Sequence, residues 1–398
     1  MEFFDDLGAR LSARWQRFGF DRDAFPSVAE DELHRRLPHE AVDSTEILRW
    51  LGRTAVLPYQ QHFESSFGQP ALTVFWHPRF YVTALFWATS TTAIHEHGFG
   101  GAFTVLEGAS LQSTYRFEAA ETLGERVLLG DLHLVGSTVL ERGAVQRVEA
   151  GERFIHSAFH IGFPSVTILV RTHGGRVTRP QYQYLPPHLA IDAQHEDQLS
   201  TRRLQALGLL DTLDSPEYQP YACDAIRHGD LTTCCLVLRQ AFSSRARRPE
   251  AFDAAAAAVR ARCGEARVVK LVRVFEEAER NELVFAARTR ITDPGLRLLL
   301  ALLLKHADWP SVIDLVHRYT RVESPVEYVL DGLATFADAG ILGFPYTAEM
   351  RATVAWLIHR ATGGDNGPSH PELAARAHVV ASSRLLRPLV APLAAAAA

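Results

Sequence analysis

From Ala71 onward the chain becomes a series of short runs rich in β-branched and aromatic residues: ALTVFW, FYVTALFWAT, AFTVLEG, SLQSTYRFE, RVLLGDLHLV, STVLERG, AVQRVEA and SVTILVRT. Gly, Asp, Glu or Pro separate them at the regular spacing of an all-β barrel or sandwich, in which short strands each bury one face. This pattern constrains the middle of the chain more than any other feature. It ends near Thr178, where RPQYQYLPPH reads as a Pro-rich exit segment. Phe75, Trp76, Phe80 and Phe86 read as barrel core, and His133 as a strand histidine.

The flanking regions are helical in texture. Phe3, Leu7, Leu11 and Trp15 recur at a spacing of four, Phe25-Pro26-Ser27 reads as a break, and a second helix is expected from Ser44 to Leu57 through Ile47, Leu48, Leu51 and Val56. After about Asp197 strands give way to some eight expected helices. Asp293-Pro294 and Ser324-Pro325 pair a capping side chain with proline at the first helical position. The expected division is an N-terminal helical segment (1–68), a β-barrel (69–185) and an all-α region (196–398). The fold class is α+β. The closing alanine run has nothing to bury and is expected to fray.

A length of 398 residues suits two or three units, and 47% hydrophobic with 22% charged residues is ordinary for a well-cored protein. The net charge of −5 argues against nucleic acid or an anionic membrane as partner. No run approaches the ~20 apolar residues of a membrane span. The acidic start resembles no signal peptide, so a cytoplasmic location is expected. Cys223, Cys234, Cys235 and Cys263 lack CxxC spacing and read as reduced thiols.

The chemistry concentrates in Thr92 to Gly108. Side chains at i and i+2 of a strand share a face, so His95 and His97 point the same way with backbones about 6–7 Å apart, close enough to converge on one ion. Glu96 then points to the opposite face. Gly98, Gly100 and Gly101 permit a tight reversal before the next strand. A third ligand should come from another strand. His156, after the turn at Gly151, is the first candidate and His160, four residues on, the alternative. Phe86, Phe103, Tyr115, Arg116, His160 and Arg171 are candidate pocket residues. Arg171 shares a strand face with Leu169, and would meet a substrate carboxylate if that face looks inward. Alternatively, Arg171 with His173, Gly174 and Gly175 is simply a strand end passing into a turn.

These residues resemble the two motifs of the cupin superfamily: His95, His97 and Gly108 match the first, and Gly143, Gly151, His156 and His160 follow the order of the second. The glutamate that most cupins offer as a fourth ligand is absent, with Gly101 and Ala102 in its window, and the second motif's proline is replaced by Glu149. An all-histidine set is similar to the thiol dioxygenase (cysteine dioxygenase-like) branch over about Phe80 to His173. The crosslinking cysteine and tyrosine of some members would fall near Ala102 and His173, so the resemblance does not extend to cysteine as substrate.

The resemblance implies a double-stranded β-helix (jelly-roll) barrel and a mononuclear non-haem Fe(II) dioxygenase. His95, His97 and His156 would be ligands, with His160, Arg171 and Tyr115 as candidate catalytic residues. Its partners would be O2 and a small polar or anionic substrate, with a homodimer as the default assembly. Imidazole sites also take Zn, Mn, Ni or Cu. Two other readings stay open: an O2-independent isomerase, lyase or hydrolase using the metal as Lewis acid, and a non-enzymatic sensor or binding protein.

Overall fold

The computed structural model describes residues 1–61, 67–88, 92–124, 126–174, 180–192, 197–363 and 371–395; Gly175 and the last alanines lie outside them. Helix α1 (Glu2–Gln16) buries Phe4, Leu7, Leu11 and Trp15. The Phe25-Pro26-Ser27 stretch, expected as a break, instead opens α2 (Phe25–Arg35), because proline in the first turn removes an N–H that has no helical partner anyway. A short α3 (Pro38–Ala41) precedes α4 (Ser44–Arg53), which starts at a reciprocal Asp43/Glu46 capping box. Only Ile47 of the apolar set expected there is fully buried. Leu48 and Val56 are exposed.

The strands are β1 (Ala71–His77), β2 (Phe80–Trp87), β3 (Ile94–His95), β4 (Gly101–Glu107), β5 (Ser110–Gly124), β6 (Val127–Leu140), β7 (Val145–Val148), β8 (Ile155–His160), β9 (Ser165–Thr172), β10 (Tyr182–Leu185) and β11 (Leu189–Asp192). One sheet has the order β1-β2-β9-β4-β7, and the other strands close on themselves as β10-β11-β6-β5-β8-β3. Two runs expected as separate strands, RVLLGDLHLV and STVLERG, form the single strand β6. The supposed exit segment is the hairpin β10–β11. Its prolines sit in the three-residue loop between Leu185 and Leu189, where the ladder asks for no N–H. The architecture is the expected α+β one, a β-barrel between helical regions.

Every residue of β2 is buried, because its sheet is covered on both sides. Phe80, Val82, Ala84 and Phe86 pack with Val166, Ile168 and Val170 of β9 against Phe4, Leu7, Leu11 and Trp15. The alternate residues Tyr81, Thr83, Leu85 and Trp87 face the barrel interior. Fully burying one such apolar side chain contributes about 1.5–3 kcal/mol, so the N-terminal helices anchor this sheet.

Eleven helices follow among the described residues, between Gln198 and Ala395, where about eight were expected. Asp293 and Ser324 do cap α10 (Pro294–Lys305) and α12 (Pro325–Asp338). The helical cores continue into the outer face of the barrel. One includes Leu111, Phe159 and Ile161, and the other Leu123, Val127, Leu129 and Leu189. Arg267 forks onto Glu121 of β5, and His306 Nε2 lies 3.1 Å from Ser137 Oγ of β6.

Gly101 is required by close approach rather than by a reversal. It is the first residue of β4, paired with Arg171, and a methyl there would lie 2.0 Å from the Val170 carbonyl oxygen. Gly101→Ala is expected to cost about 1–3 kcal/mol and to lower Tm clearly. Gly136→Ala, whose methyl meets nothing within 4 Å, should leave Tm nearly unchanged; equal melting of the two variants would refute the clash.

Candidate metal centre

β3 and β8 are antiparallel neighbours with His95 directly opposite His156, so a single cross-strand pair supplies two imidazoles. The segment after β3 adds the third. Glu96, pointing away as its position in the HxH pattern requires, is buried and accepts from the Tyr184 hydroxyl (2.8 Å) and the Tyr182 amide (3.4 Å). The Gly151 amide donates to the His97 carbonyl (2.8 Å), with Gly151 at φ +71°, so the turn into β8 is tied to the segment that carries His97. One candidate ligand atom from each of His95, His97 and His156 lies within 4.8 Å of the others. The Nε2 atoms of His97 and His156 are 3.0 Å apart.

These imidazoles are neutral. Burial pushes His95 below its ordinary value and His97 and His156 well below it; neighbouring imidazoles add to this for His97 and His156, and Arg171 adds to it for His97. His95 Nδ1 lies 2.8 Å from the Ala93 carbonyl, which can only accept, so Nδ1 carries the proton and Nε2 presents a lone pair. That Nε2 is buried with no hydrogen-bond partner, as is His156 Nδ1. An orphaned lone pair beside two further neutral imidazoles fits a divalent ion such as Fe(II) or Zn(II), both of which accept nitrogen donors.

Apolar rings enclose the cluster. Phe99 lies 4.6 Å from His97, and Phe154 4.5 Å from His156. Two cavities meet at the histidines. The inner one, ≈ 60 Å³, is walled largely by Leu85, Trp87, Val105, Leu140, Val148 and Leu169, with His160 also lining it. The outer one, ≈ 280 Å³, is lined by Tyr81, Thr83, Phe99, Arg171 and Gln181 among others. Both are bordered by Phe67, His95 and His97. No lining residue of either comes from the C-terminal helices.

His160 stands outside the cluster. It stacks on Trp87 (4.6 Å, 17°), with Nδ1 2.8 Å from Ser110 Oγ. Arg171 does look inward. Its guanidinium lies 3.5 Å from the Phe99 ring centroid and 5.3 Å from that of Tyr81. Burial lowers its pKa to about 10, and no carboxylate pairs with it among the described residues. Phe103 lines the inner cavity, 6.4 Å from His156.

Three expected pocket residues lie elsewhere. Tyr115 pairs with Ile155 and so takes the opposite face of its strand from the histidines, packing with Ile94, Ile155 and Tyr184. Arg116 is 69% exposed beside Glu118. Phe86 packs against the N-terminal helices. His173, where the branch's tyrosine would fall, stacks on Tyr81 and has Nε2 2.7 Å from the His77 carbonyl. Sequence reasoning missed Phe99, Phe154, Tyr81 and Trp87. Phe154 and Phe99 each sit two residues from a ligand histidine, a spacing that could have flagged them.

Fold and site together define an α+β protein whose central β-barrel carries a three-histidine centre. No protein-family model and no curated protein matches the chain. Among solved structures, a chain from the crystal structures of DMSP lyases RdDddP and RnDddQII is similar at 18% identity, covering 38% of this chain and 75% of its own length with a TM-score of 0.23. Hydroquinone 1,2-dioxygenase PnpCD, in complex with Cd2+ and 4-hydroxybenzonitrile, is similar at 15% identity, covering 31% and 82% with a TM-score of 0.21.

His95→Ala and His156→Ala are each expected to abolish the stoichiometric metal that elemental analysis should find in the native protein, while His160→Ala should retain it. Metal surviving in His156→Ala, or lost from His160→Ala, would overturn this assignment of ligands.

The depressed imidazole pKa values also set a pH dependence. Unfolded imidazoles protonate near about 6.5, whereas those in the folded metal-free centre stay neutral to lower pH. Unfolding therefore takes up protons, and stability falls as pH drops below about 6.5 toward the folded values. The Tm of metal-free protein should fall from about pH 7.5 to about 5.5, and less steeply in His97→Gln/His156→Gln. Parallel slopes would contradict the neutral, buried state of these rings.

Proposed function

We propose that this chain is a mononuclear non-haem Fe(II) dioxygenase acting on a small anionic molecule. The observation that carries this reading is the pairing of a neutral three-imidazole cluster with a largely buried guanidinium that no carboxylate pairs with among the described residues. A cation removed from water without a counter-ion is costly, so Arg171 favours an incoming carboxylate or similar anion. Phe99 and Tyr81 hold its plane against their rings, which limits the rotamers it must give up on binding. Three histidines leave part of an octahedral coordination sphere to small molecules. Bound there, Fe(II) would supply open coordination positions and the reducing power for O2 chemistry.

The remaining work falls to the protein. Arg171 orients the anionic end of the substrate from the outer cavity, beside His97. Leu85, Leu169, Phe99 and Phe103 exclude water, which strengthens the Arg171–anion attraction. His95 keeps its donor tautomer through the Ala93 carbonyl.

The test is anaerobic Fe(II) loading followed by an O2-electrode screen of small carboxylates that also bear a thiol, hydroxyl or enol donor. Substrate-dependent O2 uptake is expected. In Arg171→Gln, KM for the carboxylate should rise about tenfold or more, the loss of a charge-assisted pair, with iron content unchanged. Conversion that persists under strict anaerobiosis would replace the oxygenase reading with Lewis-acid chemistry. An unchanged KM in Arg171→Gln would remove the anion.

A further inference from the structure

We infer that the inner cavity is a binding chamber for a small apolar molecule, dioxygen under the proposed activity, and that the anionic substrate enters only the outer one. This rests on the oxygenase reading for the identity of the gas, but the chamber itself is argued from its walls.

Leu85, Trp87, Val105, Leu140, Val148 and Leu169 all line it and are buried. Apart from the three imidazoles of the cluster, the polar groups that also border it are turned toward one another. Ser110 Oγ lies 2.8 Å from His160 Nδ1, Trp87 Nε1 donates to Thr167 Oγ1 (3.0 Å), and Thr92 Oγ1 accepts from the Ala158 amide (2.5 Å). These hydroxyls are therefore engaged before any ligand arrives. A water or carboxylate entering would give up hydration for few new hydrogen bonds, while an apolar diatomic gives up nothing. At ≈ 60 Å³ the chamber suits a molecule of two or three heavy atoms rather than a substrate body. The outer cavity is the reverse, with ≈ 280 Å³ of space and Tyr81, Thr83, Arg171 and Gln181 on its lining. Because His95 and His97 border both, the two molecules reach the imidazoles from different sides.

The experiment uses xenon as an apolar probe of about the right size, on crystals of metal-free protein under gas pressure, with Leu140→Phe as the filled variant. A xenon peak between Leu140, Val148 and Trp87 is expected in the native protein, absent in Leu140→Phe and retained in Arg171→Gln. In parallel, air is mixed with Fe(II)-loaded protein and oxidation of the iron is followed by EPR. The rate should fall severalfold in Leu140→Phe at equal iron content. No xenon in the native chamber, xenon only in the outer cavity, or an unchanged oxidation rate in the filled variant would overturn the inference. Failure to hold iron would sink the oxygenase reading alone, since the xenon result on metal-free protein decides the chamber independently.

Discussion

Three imidazoles held within 4.8 Å of one another in an interior walled by Phe99, Phe103 and Phe154 govern how the rest of the structure must be built. Protonating any one of them would place a charge in a low-dielectric site beside two basic neighbours and the Arg171 guanidinium. Burial therefore keeps them neutral, and neutrality leaves lone pairs converging on a common point. Such an arrangement does not hold itself together. It is held by contacts on the far side of the same backbone: Glu96 on the Tyr184 hydroxyl, the Gly151 amide on the His97 carbonyl, and the β3–β8 ladder that sets His95 against His156.

The helices on either side of the barrel serve this geometry without lining the site. The N-terminal helices cover the outward residues of β2 and β9, so Leu85, Trp87, Leu169 and Arg171 are fixed on the inward face by alternation. The C-terminal helices do the same for the other sheet. Phe159, between Ala158 and His160, and Leu111, beside Ser110, are buried in the helical core while Ala158, His160 and Ser110 line the cavity. The strand that carries His156 and His160 is thus packed from both sides, which keeps it from shifting.

How far the site was legible depended on whether a residue's neighbours along the chain carried the information. The HxH pair and Glu96 were readable because strand alternation is local. Arg171 was readable as a partner of Leu169 for the same reason. Tyr115 was misplaced because its pocket role required knowing which face of β5 meets β8, and that face is set by the Tyr115–Ile155 register. Phe86 and Tyr81 show the same limit: β2 is apolar throughout, so no pattern within it says which half looks at the histidines. Gly136, between the two expected runs, hid the continuity of β6, and the prolines at 186 and 187 read as an exit although they only turn a hairpin.

The sequence by itself determined the α+β composition, the presence of a strand-rich middle and the shared face of His95 and His97. Each of these follows from period, composition or spacing within a few residues. Only the tertiary structure decided that His156 rather than His160 joins the cluster, that Arg171 meets no counter-ion among the described residues, and that a small apolar chamber and a larger polar one meet at the imidazoles. Those outcomes depend on strand register and on what packs against each sheet from residues 60 or more positions away. Such contacts are set by burying both faces at once, which no local pattern encodes.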